Sequence, residues 1–81
     1  MGRQKQYRND ELLKKIGARI RDLRIATGFS QQKFADMCEL ELSQVNRIEL
    51  GKINTSISHL YLIAKNLNVP LEDIVKPDTL K

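Results

Sequence analysis

The feature that most constrains this chain is a short interruption between two helical periods in residues 30 to 52, SQQKFADMCELELSQVNRIELGK. Ser30 is a good helix N-cap, and Phe34, Ala35 and Cys38 follow it on one helical face. Leu40 lies in the interruption. A second period of Leu42, Val45 and Ile48 then runs to Gly51, a residue suited to the left-handed position that closes a helix. Two such helices, joined by so short a turn, must touch near their corner. That contact requires a small residue inside the first helix and branched apolar residues inside the second. Ala35 meets the first requirement, and Val45 and Ile48 meet the second.

The spacing is therefore that of a helix-turn-helix unit, although an ordinary helical hairpin packed for stability would also satisfy it. The flanking segments extend the helical reading. Asn9 is a helix N-cap, and Leu12, Leu13, Ile16, Ile20 and Leu23 recur at helical spacing until Gly28 stops them. After the linker INTSIS, Ile57, Leu60, Ala64 and Leu67 define the core stripe of a fourth helix, with Asn68 as its end. Tyr61, Leu62 and Ile63 are apolar in excess of that stripe. Pro70 suits the first turn of a last short helix, Leu71 to Val75, and Pro77 prevents much continuation. No segment alternates with period two, and no repeat is visible. The expected fold is all-α, five short helices in one domain over residues 10–76, with a basic mobile arm at 1–9 and a short tail at 77–81.

Composition limits what such a domain can do. With 81 residues, 41% hydrophobic and 30% charged, the chain has material for one small core. The longest apolar run, Leu60-Tyr61-Leu62-Ile63-Ala64, cannot span a bilayer, and MGRQKQYRN has no apolar signal stretch, so a cytoplasmic protein without a membrane partner is expected. Cys38 is the sole cysteine and His59 the sole histidine, which leaves no disulfide framework and no Cys/His metal site. His59 has no sequence-near catalytic partner, Glu72 and Asp73 read as dipole-compensating acids, and Gly17, Gly28 and Gly51 are too scattered for a phosphate-cradling loop. Neither an enzyme, a cofactor nor a small-molecule ligand is expected.

The net charge of +4 is unevenly distributed, since residues 1 to 24 carry eight basic and three acidic side chains. The helix-turn-helix stretch itself is slightly acidic: Lys33, Arg47 and Lys52 stand against Asp36, Glu39, Glu41 and Glu49. Bottom-up, Ser43, Asn46, Arg47 and Leu50 oppose the inward Val45 and Ile48, so this second helix offers hydrogen-bond donors on its solvent face.

The segments IRDLRIATGFSQQKFA, SQVNRIELGK and LYLIAKNLNVPLEDI together resemble the Cro and phage-repressor type helix-turn-helix regulators of bacteria and their viruses. The resemblance covers about Ile16 to Ile74. It implies a lambda-repressor-like domain whose third helix enters the major groove of a two-fold double-stranded DNA operator, bound as a homodimer. It also implies a transcriptional regulator, with repression the expected sign. Under it, Leu42, Ser43 and Arg47 read bases, and Asn46, on the same donor-bearing solvent face, is expected to read bases with them. Gln31, Ser30, Lys33, Lys52 and Asn54 meet phosphates, and Arg24 pairs with Glu49. Glu39 occupies a turn position where relatives commonly carry Gly, and Glu41 a capping position where they carry Ser or Thr. The alternatives are a helical protein-interaction module, an antitoxin, or a restriction-modification controller of the same fold.

Overall fold

The computed structural model describes residues 7–76. The first six residues of the expected arm and the expected tail 77–81 lie outside the described residues. Five helices run in order: α1 Asp10–Thr27, α2 Gln31–Cys38, α3 Leu42–Glu49, α4 Ile57–Asn66 and α5 Glu72–Val75. No strand occurs among the described residues.

Local chemistry sets the helix boundaries. The side chains of Asn9, Ser30 and Ser56 accept from the backbone N–H groups of Leu12, Lys33 and His59, starting α1, α2 and α4. The first four helices all stop in the same way. After each, one residue takes a left-handed conformation: Gly28, Glu39, Gly51 and Asn68, at φ 85°, 57°, 71° and 60°. The next N–H then reaches back across the last turn, as Phe29 N does to Arg24 O, Leu40 N to Ala35 O, Lys52 N to Arg47 O and Val69 N to Ala64 O, at 3.2, 2.9, 2.9 and 3.0 Å. These bonds occupy carbonyls that would otherwise lack partners.

The core joins all five helices. Ile16 and Ile20 of α1, Phe34, Ala35 and Cys38 of α2, Val45 and Ile48 of α3, Leu60, Ile63 and Ala64 of α4, Leu67 and Ile74 are buried. Burying an aliphatic or aromatic side chain of this size contributes about 1.5 to 3 kcal/mol, so these contacts carry the fold. Burial also pushes the Cys38 thiol up to about 11, against an opposing hydrogen bond from the Asn66 side chain.

Leu60, Ala64 and Leu67 are buried as the α4 stripe requires, and two positions differ from it. Ile57 is 62% exposed and Ile63 1% exposed, the reverse of their expected roles. Ile63 lies three residues after Leu60 and four before Leu67, so it shares their face, whereas Ile57 is the first residue of the helix. Ile74 of α5 is fully buried.

Two glycines set the distance between α1 and α3. A Cβ on Gly17 would fall 2.3 Å from Ile48 O and 2.6 Å from Glu49 O, and one on Gly51 would fall 2.6 Å from Lys14 Cα. Real Cβ atoms do not approach so closely, so the backbones of the two helices touch where side chains are missing.

Candidate nucleic-acid interface

The turn between α2 and α3 is made by Glu39, left-handed, and Leu40, half-buried beneath it. Glu41 then starts α3 in extended conformation, and its N–H donates to Gln44 Oε1 at 3.0 Å. This bond fixes the first turn of α3 and uses the side-chain oxygen of Gln44, a residue the sequence reading passed over. Val45, Ile48 and Glu49 turn inward, while Leu42, Ser43, Asn46, Arg47 and Leu50 are exposed. Leu42 is 42% exposed, which takes it out of the helix's inner period and leaves it available at the front of the outer face.

Beneath that face lies a buried polar cluster. Arg24 Nε donates to Glu49 Oε2 at 2.6 Å and Arg24 Nη2 to Glu49 Oε1 at 3.1 Å. Arg24 Nη1 donates to Phe29 O at 2.7 Å, and Gln31 Nε2 to Glu49 Oε1 at 2.8 Å. Arg24 is 8% exposed and Glu49 5%, so both charges are largely removed from water. Such a burial is tolerated only when the charges are paired and the remaining polar atoms hydrogen-bonded, as here. The cluster ties α1, α2 and α3 together and holds the Gln31 side chain at the start of α2.

The other expected contact residues lie around this unit. Ser30, whose Oγ accepts from Lys33 N at 3.0 Å, and the exposed Lys33 sit with Gln31 at the N-terminus of α2. There the first backbone N–H groups and the helix dipole favour an anion. Lys52 and Asn54 are exposed in the loop after α3. Arg8, expected in a mobile arm, is anchored instead: Nε donates to Asp10 Oδ1 and Nη2 to Lys52 O, both at 2.6 Å. It braces the loop that carries Lys52. Sequence reading missed this bond because it joins residues 44 apart. A signal for Gly17 was present, since glycine in a helix interior costs about 1 kcal/mol and asks for a packing reason.

Among the described residues, no group of three or more His, Cys, Asp or Glu side chains could hold a metal ion, and no helix is long and apolar enough to cross a membrane. The site is a protein surface carrying exposed donors over a buried, paired Arg24 and Glu49. A helix-turn-helix family model matches residues 20–74, from the middle of α1 into α5. The chain belongs to that helix-turn-helix family. Over 66 residues it is 31% identical to the control protein C.BamHI of Bacillus amyloliquefaciens, covering 80% of this chain and 82% of that protein. The solved structure of the restriction-modification controller protein C.AhdI of Aeromonas hydrophila is 32% identical, with a TM-score of 0.75, and the match covers 82% of this chain and 98% of that one. The hypothetical transcription factor NHTF from Neisseria has the same fold, with a TM-score of 0.78 at 23% identity, over 91% of this chain and 86% of its own. This helix-turn-helix protein is a DNA-binding transcriptional regulator of the Cro and phage-repressor type, and its relatives are control proteins and gene regulators rather than enzymes.

Proposed function

We propose that this regulator is a sequence-specific repressor that inserts α3 into the major groove of a two-fold double-stranded DNA operator, acting in the cytoplasm as a homodimer. Residues 10–76 form the DNA-binding unit, preceded by a basic arm at 1–9 and followed by the tail 77–81. The observation that carries this reading is the exposed outer face of α3, with Ser43 and Arg47 one turn apart above the inward Val45 and Ile48. A guanidinium at Arg47 makes two hydrogen bonds to guanine, the Ser43 hydroxyl adapts to several acceptors, and Leu42 meets a thymine methyl. Asn46 stands on the flank of the same face. Ser30, Gln31 and Lys33 at the start of α2, with Lys52 and Asn54 after α3, fix register on the phosphates. No step in this mechanism uses a cofactor, a metal or catalysis.

The slightly acidic unit fits this division of labour. Base reading needs a few well-aimed donors, and attraction to the duplex comes from α1, the arm, Lys52 and the amides at helix N-termini. Glu39 and Glu41, both exposed beside the start of α3, then penalise misplaced registers.

Assembly follows from the apolar surface left over. Ile57 and Tyr61 are 62% and 60% exposed, and Tyr61 borders a hollow of about 250 Å³ with Val69, Pro70 and Leu71. With half-buried Leu62 and Val75 nearby, a self-complementary contact around two-fold symmetry would cover this surface. Its likeness at 31% and 32% identity to two control proteins, one of them the restriction-modification controller protein C.AhdI, favours that narrower role over the antitoxin and protein-module alternatives.

The deciding experiment is selection of bound duplexes from a random pool, followed by titration of the winner. A palindromic consensus bound at least a thousandfold better than random duplex supports the proposal. Recovery of no consensus would leave a protein-interaction module as the better reading. Sedimentation at micromolar concentration, with Leu62→Glu and Tyr61→Glu as probes, tests the dimer; a monomer whose operator binding ignores both changes excludes this interface.

A further inference from the structure

A cleft of about 570 Å³ opens between α1 and α3, beside the N-terminus of α2. Its floor is the Arg24–Glu49 pair, and its rim carries Arg21 and Ala18 from α1, Gln31 from α2 and Asn46 from α3. The floor is electrically closed. Arg24 donates to both oxygens of Glu49 and to Phe29 O, and Glu49 also accepts from Gln31. Glu49 is thus neutralised, and no other acid lines the cleft. The rim is different. Arg21 and Asn46 are exposed, and neither makes a side-chain hydrogen bond or ion pair among the described residues. A full positive charge and an amide therefore face one hollow with their donors unused, and Ala18 and the exposed Leu50 complete its wall.

Such a hollow suits a single anionic group with several acceptor oxygens. Its position on the reading helix selects which anion. Asn46 precedes Arg47 by one residue, which turns it about 100° around α3, away from the Ser43–Arg47 line and toward α1. A duplex docked on that line presents its sugar-phosphate edge, not its base edges, to this flank. We infer that the α1/α3 cleft holds a backbone phosphate of the bound DNA, with Arg21 as its principal cation and Asn46 as a phosphate ligand in place of a base reader. Gln31, held by Glu49, closes the third side. The inference rests on the reading of α3 as the groove-entering helix. It adds Arg21 to the interface and moves Asn46 within it.

The test measures affinity of the full chain for the selected operator and for random duplex as salt is raised from low to physiological concentration. Each phosphate neutralised contributes about 0.9 to the slope of log affinity against log salt. Arg21→Gln should make the slope shallower by about 0.9 for each bound protomer and weaken both duplexes by the same factor, whereas Arg21→Lys should retain most of the slope. Lys65→Gln removes the same charge from an exposed position on α4 and should leave the slope as it was. Asn46→Ala should weaken both duplexes equally. An unchanged slope for Arg21→Gln in a protein that binds DNA overturns the inference, as does an equal effect of Lys65→Gln. A changed base preference in Asn46→Ala overturns the placement of Asn46. Thermal melting confirms that each exposed-site variant folds. A wild-type chain that binds neither duplex would instead defeat the reading of α3, and the cleft's assignment with it.

Discussion

Gly17→Ala sets two well-known effects against each other. In a helix interior alanine is favoured over glycine by about 1 kcal/mol, so helix propensity alone predicts a stabilised protein. The structure predicts the opposite. The new methyl would stand 2.3 Å from Ile48 O and 2.6 Å from Glu49 O, against ordinary carbon–oxygen contacts of about 3.3 Å. Both obstacles are backbone atoms of α3, so no rotamer change relieves them and α1 must withdraw by about 1 Å. Overpacking of this kind costs about 1 to 3 kcal/mol, and more when the obstacle cannot yield. Withdrawal also stretches the Arg24–Glu49 bonds, now 2.6 and 3.1 Å, which adds about 1.5 to 3 kcal/mol for a charged hydrogen bond weakened in a buried site. After subtracting the propensity gain, the net loss is about 1.5 to 5 kcal/mol, a large fraction of a small domain's stability. Urea denaturation followed by circular dichroism measures it. A variant as stable as the wild type, or more stable, would refute the close contact between α1 and α3.

Arg47→Ala should lose about 1 to 3 kcal/mol on the preferred operator and relax preference at one base pair per half-site, with unfolding unchanged; uniform weakening on all duplexes would make it a phosphate contact. Arg24→Met or Glu49→Leu alone should cost up to about 3 to 5 kcal/mol because each strands a buried charge, and the double variant should recover much of it. A denaturant double-mutant cycle without coupling would refute that pairing. Glu39→Gly should stabilise the fold by about 1 kcal/mol, since Glu39 holds a left-handed conformation at φ 57° that disfavours side chains, and should raise affinity for random duplex by removing an acid; lower stability would contradict the strain argument. The Cys38 thiol, pushed from 9.0 up to about 11, keeps its proton longer in the folded state than in the unfolded one. Its contribution to stability is therefore complete below pH 9 and is lost between pH 9 and 11 at up to about 1.4 kcal/mol per unit. An equal alkaline decline in Cys38→Ala would assign the effect to other groups.

Most of the architecture was legible because it depends on short-range signals. The caps at Asn9 and Ser30, the stops at Gly28 and Gly51 and the apolar spacing of Phe34, Ala35, Val45 and Ile48 act within one or two turns, and the helices formed where those residues stand. The exposed face of α3 follows from the same periodicity, so the outward placement of Ser43 and Arg47 could be read without coordinates. What required tertiary structure was whatever depends on two segments meeting. Helical spacing alone did not separate Ile57 from Ile63, because both fit a stripe with Leu60, and the neighbours packed against α4 made the choice. Gly17 appeared as an unexplained glycine until α3 was laid across it, and Arg8 as part of a loose arm until Lys52 O came within reach. The cleft at Asn46 is of the same kind: the residue's position on α3 was periodic and predictable, but the cleft it lines exists only because α1 passes alongside. Local chemistry determines which helices form and which faces are apolar. Packing determines which of several permitted faces is buried, because that depends on the shape and charge of a surface from elsewhere in the chain.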